Sequence, residues 1–218
     1  MSDTDSFINE VTEEVQRDRL YGYVRRYGWL AAILIVGLVG GAAWNEYSKA
    51  TANSLAEGTG DALLDALELD DIAERPNALL DVKGEGAALA VTALTTAAAQ
   101  QEAGDLQGAA ATLNDLASNG DVPSIYADLA AFKLSLIDTG DDAARRSLLE
   151  GLARPGAPFN LLAQEQLAYM DLEAGDQTAA VSILRGIIED AGVTRGLRDR
   201  AQTMIVALGE DLDGSPSQ

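Results

Sequence analysis

Between Gly28 and Trp44 the chain runs for seventeen positions without a charge. Read as a helix, that run rises about 25 Å at 1.5 Å per residue. Adding Tyr27 and Tyr47 brings its length near the hydrocarbon thickness of a bilayer. Tyr21, Tyr23, Tyr27 and Trp29 sit at one edge, Trp44 and Tyr47 at the other. Six of the chain's eleven aromatics therefore cluster where amphipathic rings prefer to lie, at the two membrane interfaces. The pattern predicts a transmembrane helix over 27–47. Upstream, Phe7, Val11 and Val15 recur at i, i+4 and i+8, which predicts a short amphipathic helix within the segment 1–26. Downstream, residues 45–69 carry a leaky helical pattern that Gly58 and Gly60 weaken. Arg75-Pro76-Asn77 and Gly84-Glu85-Gly86 mark an irregular connection.

A second pattern repeats. Gly104-Asp105, Gly140-Asp141 and Gly175-Asp176 stand 36 and 35 residues apart. Four residues after each Gly comes a small residue (Gly108, Ala144, Ala179), expected to let helices approach closely. Nine after stand Leu113, Leu149 and Leu184; twelve after stand Leu116, Leu152 and Ile187. Each unit then passes Gly or Pro punctuation and a second apolar helix: 125–136, 159–172 and 197–208. Residues 87–101 form one more helix ahead of the first Gly-Asp. A period near 35 with two helices per unit is the signature of tetratricopeptide-like repeats. One helix pair cannot bury its apolar stripe alone, so neighbouring pairs share a core. The Gly is placed to end one helix in the left-handed conformation and the Asp to cap the next. The predicted fold is all-α: an N-terminal transmembrane helix followed by a TPR-like α-solenoid of stacked helical hairpins over 48–209. Its repeats start near 104, 140 and 175, and a disordered tail follows at 210–218.

Charge sets the orientation. Arg17, Arg19, Arg25 and Arg26 precede the apolar run, and only Lys49 closely follows it. The positive-inside rule counts these cations near the span, which predicts a cytoplasmic N-terminus with the remaining domain across the membrane. A cleaved signal peptide competes, since Ala50-Thr51-Ala52 has the small-x-small form of a cleavage site. The long acid-rich segment before the run, the run's length and the charged approach to that site favour an uncleaved anchor. The whole chain carries 15 basic and 35 acidic residues, net −20. Such a surface repels phosphate backbones and argues against nucleic-acid binding.

The chain contains neither His nor Cys. That removes thiol nucleophiles, zinc-thiolate sites, and Ser-His-Asp and Cys-His arrangements. No phosphate-binding glycine loop is present. Accordingly no catalytic, cofactor-binding or metal-ligating residue, and no cofactor or small-molecule substrate, is expected. Asp211-Leu212-Asp213-Gly214 opens like a calcium loop but lacks the closing Glu. Gly37 and Gly41 offer a helix-packing face that ordinary membrane-helix glycine content explains almost as well. Arg195, Arg198 and Arg200, with Arg145-Arg146, are expected in internal ion pairs, given the acidic surroundings.

One resemblance covers nearly the whole chain. The order Phe7-Ile8-Asn9-Glu10-Val11, Glu14-Val15-Gln16-Arg17-Asp18-Arg19, Arg25-Arg26-Tyr27-Gly28 and the run ending in Trp44 resembles the ancillary SecYEG translocon subunit family. Leu161 to Asp176, Ala179-Ala180 and Leu197-Arg198-Asp199-Arg200-Ala201 are similar to the same family; residues 53–90 match least. The resemblance implies a non-enzymatic single-span protein of the bacterial inner membrane with a periplasmic TPR-like domain. It implies association with the SecYEG channel and a periplasmic peptidyl-prolyl isomerase-type chaperone, and help for exported chains leaving the channel. A TPR-like scaffold of another envelope complex, in cell division, outer-membrane assembly or respiration, is the alternative, because fold does not settle partner.

Overall fold

The computed structural model describes residues 3–211. The chain divides into two compact units at Glu57/Gly58, a boundary that falls inside the first helix. Among the described residues all regular structure is helical.

Helix α1 runs without a break from Asp3 to Leu67. The segment expected as a separate amphipathic helix is thus its first part; the side chains of Phe7, Val11 and Val15 lie outside the described ones. Residues 28–67 are long and apolar enough to cross a membrane, and none of the apolar stretch is buried by protein. Gly58 and Gly60 do not end the helix. Each costs about 1 kcal/mol in a helix interior, too little against the good helix formers around them.

The unit from Gly58 onward holds the end of α1 and eight further helices among the described residues. They are α2 (Arg75–Leu80), α3 (Ala87–Glu102), α4 (Leu106–Ala117), α5 (Ser124–Ser135), α6 (Asp142–Leu152), α7 (Asn160–Glu173), α8 (Gln177–Glu189) and α9 (Arg195–Ala207). Helix α2 corrects the expectation of an irregular connection at Arg75-Pro76-Asn77. Pro76 sits in its first turn, where no amide donor is required. Thr59 Oγ1 donates to the Lys83 carbonyl at 3.0 Å and ties the end of α1 to the segment after α2.

From α2 to α9 each helix packs against the next in chain order, and α3 also touches α5. The core is correspondingly divided. Ala90, Ala97, Ala109, Leu113, Leu116 and Ala130 join α3, α4 and α5. Ala131, Leu149, Leu152, Ala163, Leu167 and Met170 join α5, α6 and α7. Ala168, Ala180, Leu184, Ile187, Leu197, Ala201 and Ile205 join α7, α8 and α9. Helices α5 and α7 therefore each serve two cores, Ala130 and Ala131 pointing to different ones.

The turns use one device repeatedly. Gly104 and Gly175 both have φ of 82°. Asp105 N–H donates to the Gln100 carbonyl and Gly104 N–H to that of Gln101, which closes α3. The Asp105 carboxylate then accepts from Gly108 N–H at 2.8 Å and opens α4. Asp176 does both jobs between α7 and α8. At the middle turn Asp141 caps α6 through Ala144 N–H, while the Asp138 side chain takes Gly140 N–H. A third ending of the Gly104 and Gly175 kind closes α9 at Gly209, whose φ is 79°.

The small residues at 108, 144 and 179 serve the caps. They donate the capped amide and lie at the surface or half-buried, and the next position, Ala109 or Ala180, is the one that turns fully inward.

Candidate functional site

A buried polar cluster of the second unit lies on α7 and α9. Glu165 stands on α7 with only 5 % of its side chain exposed. A carboxylate at that depth is costly unless paired and hydrogen-bonded. Arg200 of α9 supplies the pairing in bidentate form, Nε to Oε1 and Nη2 to Oε2, both at 2.7 Å. Tyr169, one turn along α7, donates its hydroxyl to Glu165 Oε1 at 3.1 Å. Burial first, and then the neighbouring Glu165 carboxylate, hold the Tyr169 phenol above its ordinary range. The Glu165 hydrogen bonds raise the Arg200 guanidinium further, so it stays charged throughout.

Around this clamp lies an open depression of about 360 Å³, lined by Tyr169, Asp199, Arg200, Thr203, Met204 and Ala207. The tyrosine ring, the methionine and the alanine give it an apolar floor. Arg200, half exposed, stands at the rim. On the opposite flank of α7, Asp171 accepts from Arg146 Nη2 at 2.6 Å, and Arg145 Nη1 lies 3.6 Å from Glu173. Arg145 Nε also donates to the Ser135 carbonyl at 2.9 Å and so joins α6 to the end of α5.

Of the basic residues singled out in the sequence, Arg145, Arg146 and Arg200 thus bridge helices, while Arg195 lies 4.0 Å from Asp199 on its own exposed helix face. The three Gly-Asp pairs are not brought together; they cap three separate helices. Leu212, Asp213 and Gly214 of the calcium-like tetrapeptide, and with them most of the expected tail, lie outside the described residues. Around Gly37 and Gly41, an added methyl group would meet nothing within 4 Å.

Sequence reasoning missed Glu165 and Tyr169. A signal existed: Glu165 and Arg200 are 35 residues apart, one repeat period, and equivalent positions of successive repeats lie side by side when pairs stack. The arrangement offers a contact surface with hydrogen-bonding and apolar parts. No family model matches the chain, and no curated protein or solved structure matches it either.

Proposed function

We propose that the protein is a non-enzymatic, membrane-anchored scaffold beside the SecYEG export channel. In this reading its TPR-like stack holds a peptidyl-prolyl isomerase-type chaperone or an emerging polypeptide. The observation that carries the anchor is the bare apolar stretch of α1, whose side chains protein leaves uncovered and lipid would cover. The serial packing of α3 to α9 supports the repeat reading, because shared cores are what stacked helical pairs require. The choice of channel rests on the resemblance of the N-terminal segment and of residues 161–201. Four arginines before the apolar run favour a cytoplasmic N-terminus, and with it a periplasmic helical domain.

Tethering supplies the energetic logic. A binder held beside the channel exit sees its target at an effective concentration of order millimolar, so modest affinity suffices. Purification in mild detergent at native expression, with photocrosslinkers in α1 and in α7, tests the reading. Channel subunits crosslinked from α1 and a chaperone or exported chain crosslinked from α7 are expected. Reproducible capture of division, outer-membrane-assembly or respiratory subunits in their place would transfer the scaffold to another envelope complex.

A further inference from the structure

Helices α4, α6 and α8 hold corresponding places in the three units, each opened by an Asp cap, yet they are fixed to their neighbours by different means. Helix α4 buries Ala109, Leu113 and Leu116, and α8 buries Ala180, Val181, Leu184 and Ile187. Helix α6 buries Leu149 and Leu152, with Leu148 half-buried against the same core. Where α4 and α8 turn an alanine inward, α6 carries Arg145, and Arg146 follows it. These arginines supply the contact that apolar side chains supply elsewhere. Arg146 Nη2 donates to Asp171 Oδ1 of α7 at 2.6 Å, Arg145 Nε donates to the Ser135 carbonyl of α5, and Arg145 Nη1 lies 3.6 Å from Glu173 Oε2.

The two kinds of contact respond differently to opening. An apolar side chain that leaves its core loses its whole stabilisation to water. A guanidinium and a carboxylate are rehydrated as they part, so a pair at the surface contributes little net and salt weakens it. The Arg146 side chain is 37 % exposed and that of Glu173 65 %. The connections also let α6 move alone. Tight turns at 103–105 and 174–176 join α3 to α4 and α7 to α8, whereas 136–141 and 153–159 flank α6, the second holding Pro155, Pro158 and Gly156 at φ 82°. Without α6, α5 still meets the start of α7: the rings of Phe132 and Phe159 stack with centroids 5.7 Å apart. On its other side α7 is secured to α8 and α9 by the core around Ala168 and by the Glu165–Arg200 pair.

We propose that α6 is a latch in the middle of the stack. It detaches as a unit between Leu136 and Phe159 while α3 to α5 and α7 to α9 keep their own cores, and ionic strength sets how often it does so. Opening uncovers Ala131, Ala163, Leu167 and Met170, the apolar side chains that α6 covers with its leucines. Segments with few buried apolar contacts are the ones that open locally. The latch is independent of the channel-scaffold reading, since it concerns contacts within this chain.

Hydrogen exchange of the full-length chain in mild detergent, followed by mass spectrometry, tests it. Amides of 146–152 are expected to exchange about tenfold faster than those of 110–117 and 181–189. In about 1 M NaCl the α6 rate should rise about threefold while the other two stay within about twofold. Asp171→Asn should raise the α6 rate severalfold and blunt its response to salt. The absence of cysteine allows a second measurement. A thiol at a fully buried leucine of α6, Leu149→Cys, should be alkylated by iodoacetamide about tenfold faster than one at Leu113→Cys or Leu184→Cys. Equal exchange in the three helices, a salt response shared by all of them, wild-type exchange in Asp171→Asn, or equal alkylation of the three thiols would overturn the latch. None of these outcomes bears on which proteins crosslink to α1.

Discussion

Helices α1 and α7 lack the same thing, a one-sided apolar stripe, and lack it for opposite reasons. In α1 the apolar residues are outside: Leu34 is 62 % exposed, and Ile33, Ile35, Val36 and Leu38 are exposed with it. In α7 they are inside: Ala163, Leu167 and Met170 face the core shared with α5 and α6, and Ala168 faces that shared with α8 and α9. A helix apolar on several sides needs neighbours on several sides, and protein provides them only for α7. Helices α4, α6 and α8, each between two partners on one flank, keep the ordinary stripe. A flat pattern therefore carries two meanings, and burial decides between them. In α7 the alanines at 163 and 168 are fully buried against neighbours on two sides, whereas the large aliphatic side chains of α1 at 33–39 stay exposed.

The sharpest way to break this contrast is to remove aliphatic bulk from both places. Leu149→Ala and Leu184→Ala, at fully buried positions, should each cost about 2–5 kcal/mol in urea unfolding of the detergent-solubilised chain. Leu34→Ala should leave the same unfolding transition within about 0.5 kcal/mol. Equal losses from all three would erase the distinction.

Smaller effects probe the turns that separate the cores. Asp105→Ala, Asp141→Ala and Asp176→Ala each remove a side chain that accepts from the first turn of a helix. Each should lower stability by about 1 kcal/mol, and by similar amounts if the three turns are equivalent devices. Thermal melts of the three variants check this. Asp176, whose amide also closes α7, keeps that amide bond in the alanine variant, so its loss should not exceed the others.

The smallest effect is alkaline. The Tyr169 phenol is raised in the folded chain, so folding favours its protonated form. Its contribution is fully present below the ordinary phenol value of about 10 and is lost as pH rises through the raised folded value. Stability should therefore fall above about pH 10, and Tyr169→Phe should flatten that part of the profile in denaturant titrations between pH 8 and 11. A wild-type and variant profile of identical slope would remove Tyr169 from the clamp's energetics.

Much of this architecture is legible in the chain because its determinants are local. A Gly that must take positive φ, followed by an Asp that caps, defines a boundary within three residues, and Leu113, Leu149 and Leu184 follow at a fixed offset into the core. What was not legible depended on partners far away or on balances too fine for pattern. Arg145 occupies the position that Ala109 and Ala180 fill in the other units, and its bond to the Ser135 carbonyl and its ion pair with Glu173 explain why a guanidinium is tolerated there. Helix α2 has six residues, too few for any periodicity to show. Glu165 reads as one acid among many until α9 is folded beside it.

The Glu165–Arg200 clamp also constrains how such an array can change in size. The carboxylate on α7 is matched by a guanidinium exactly one period onward, so any helical pair added between them would place a foreign surface over a sunken negative charge. Lengthening or shortening is cheaper upstream, where α3 meets α4 and α5 through alanine, leucine and threonine and no ion is interred. The pair thus ties α7 to α9, and the junction of α3, α4 and α5 is the less costly place for a helical pair to be inserted or removed.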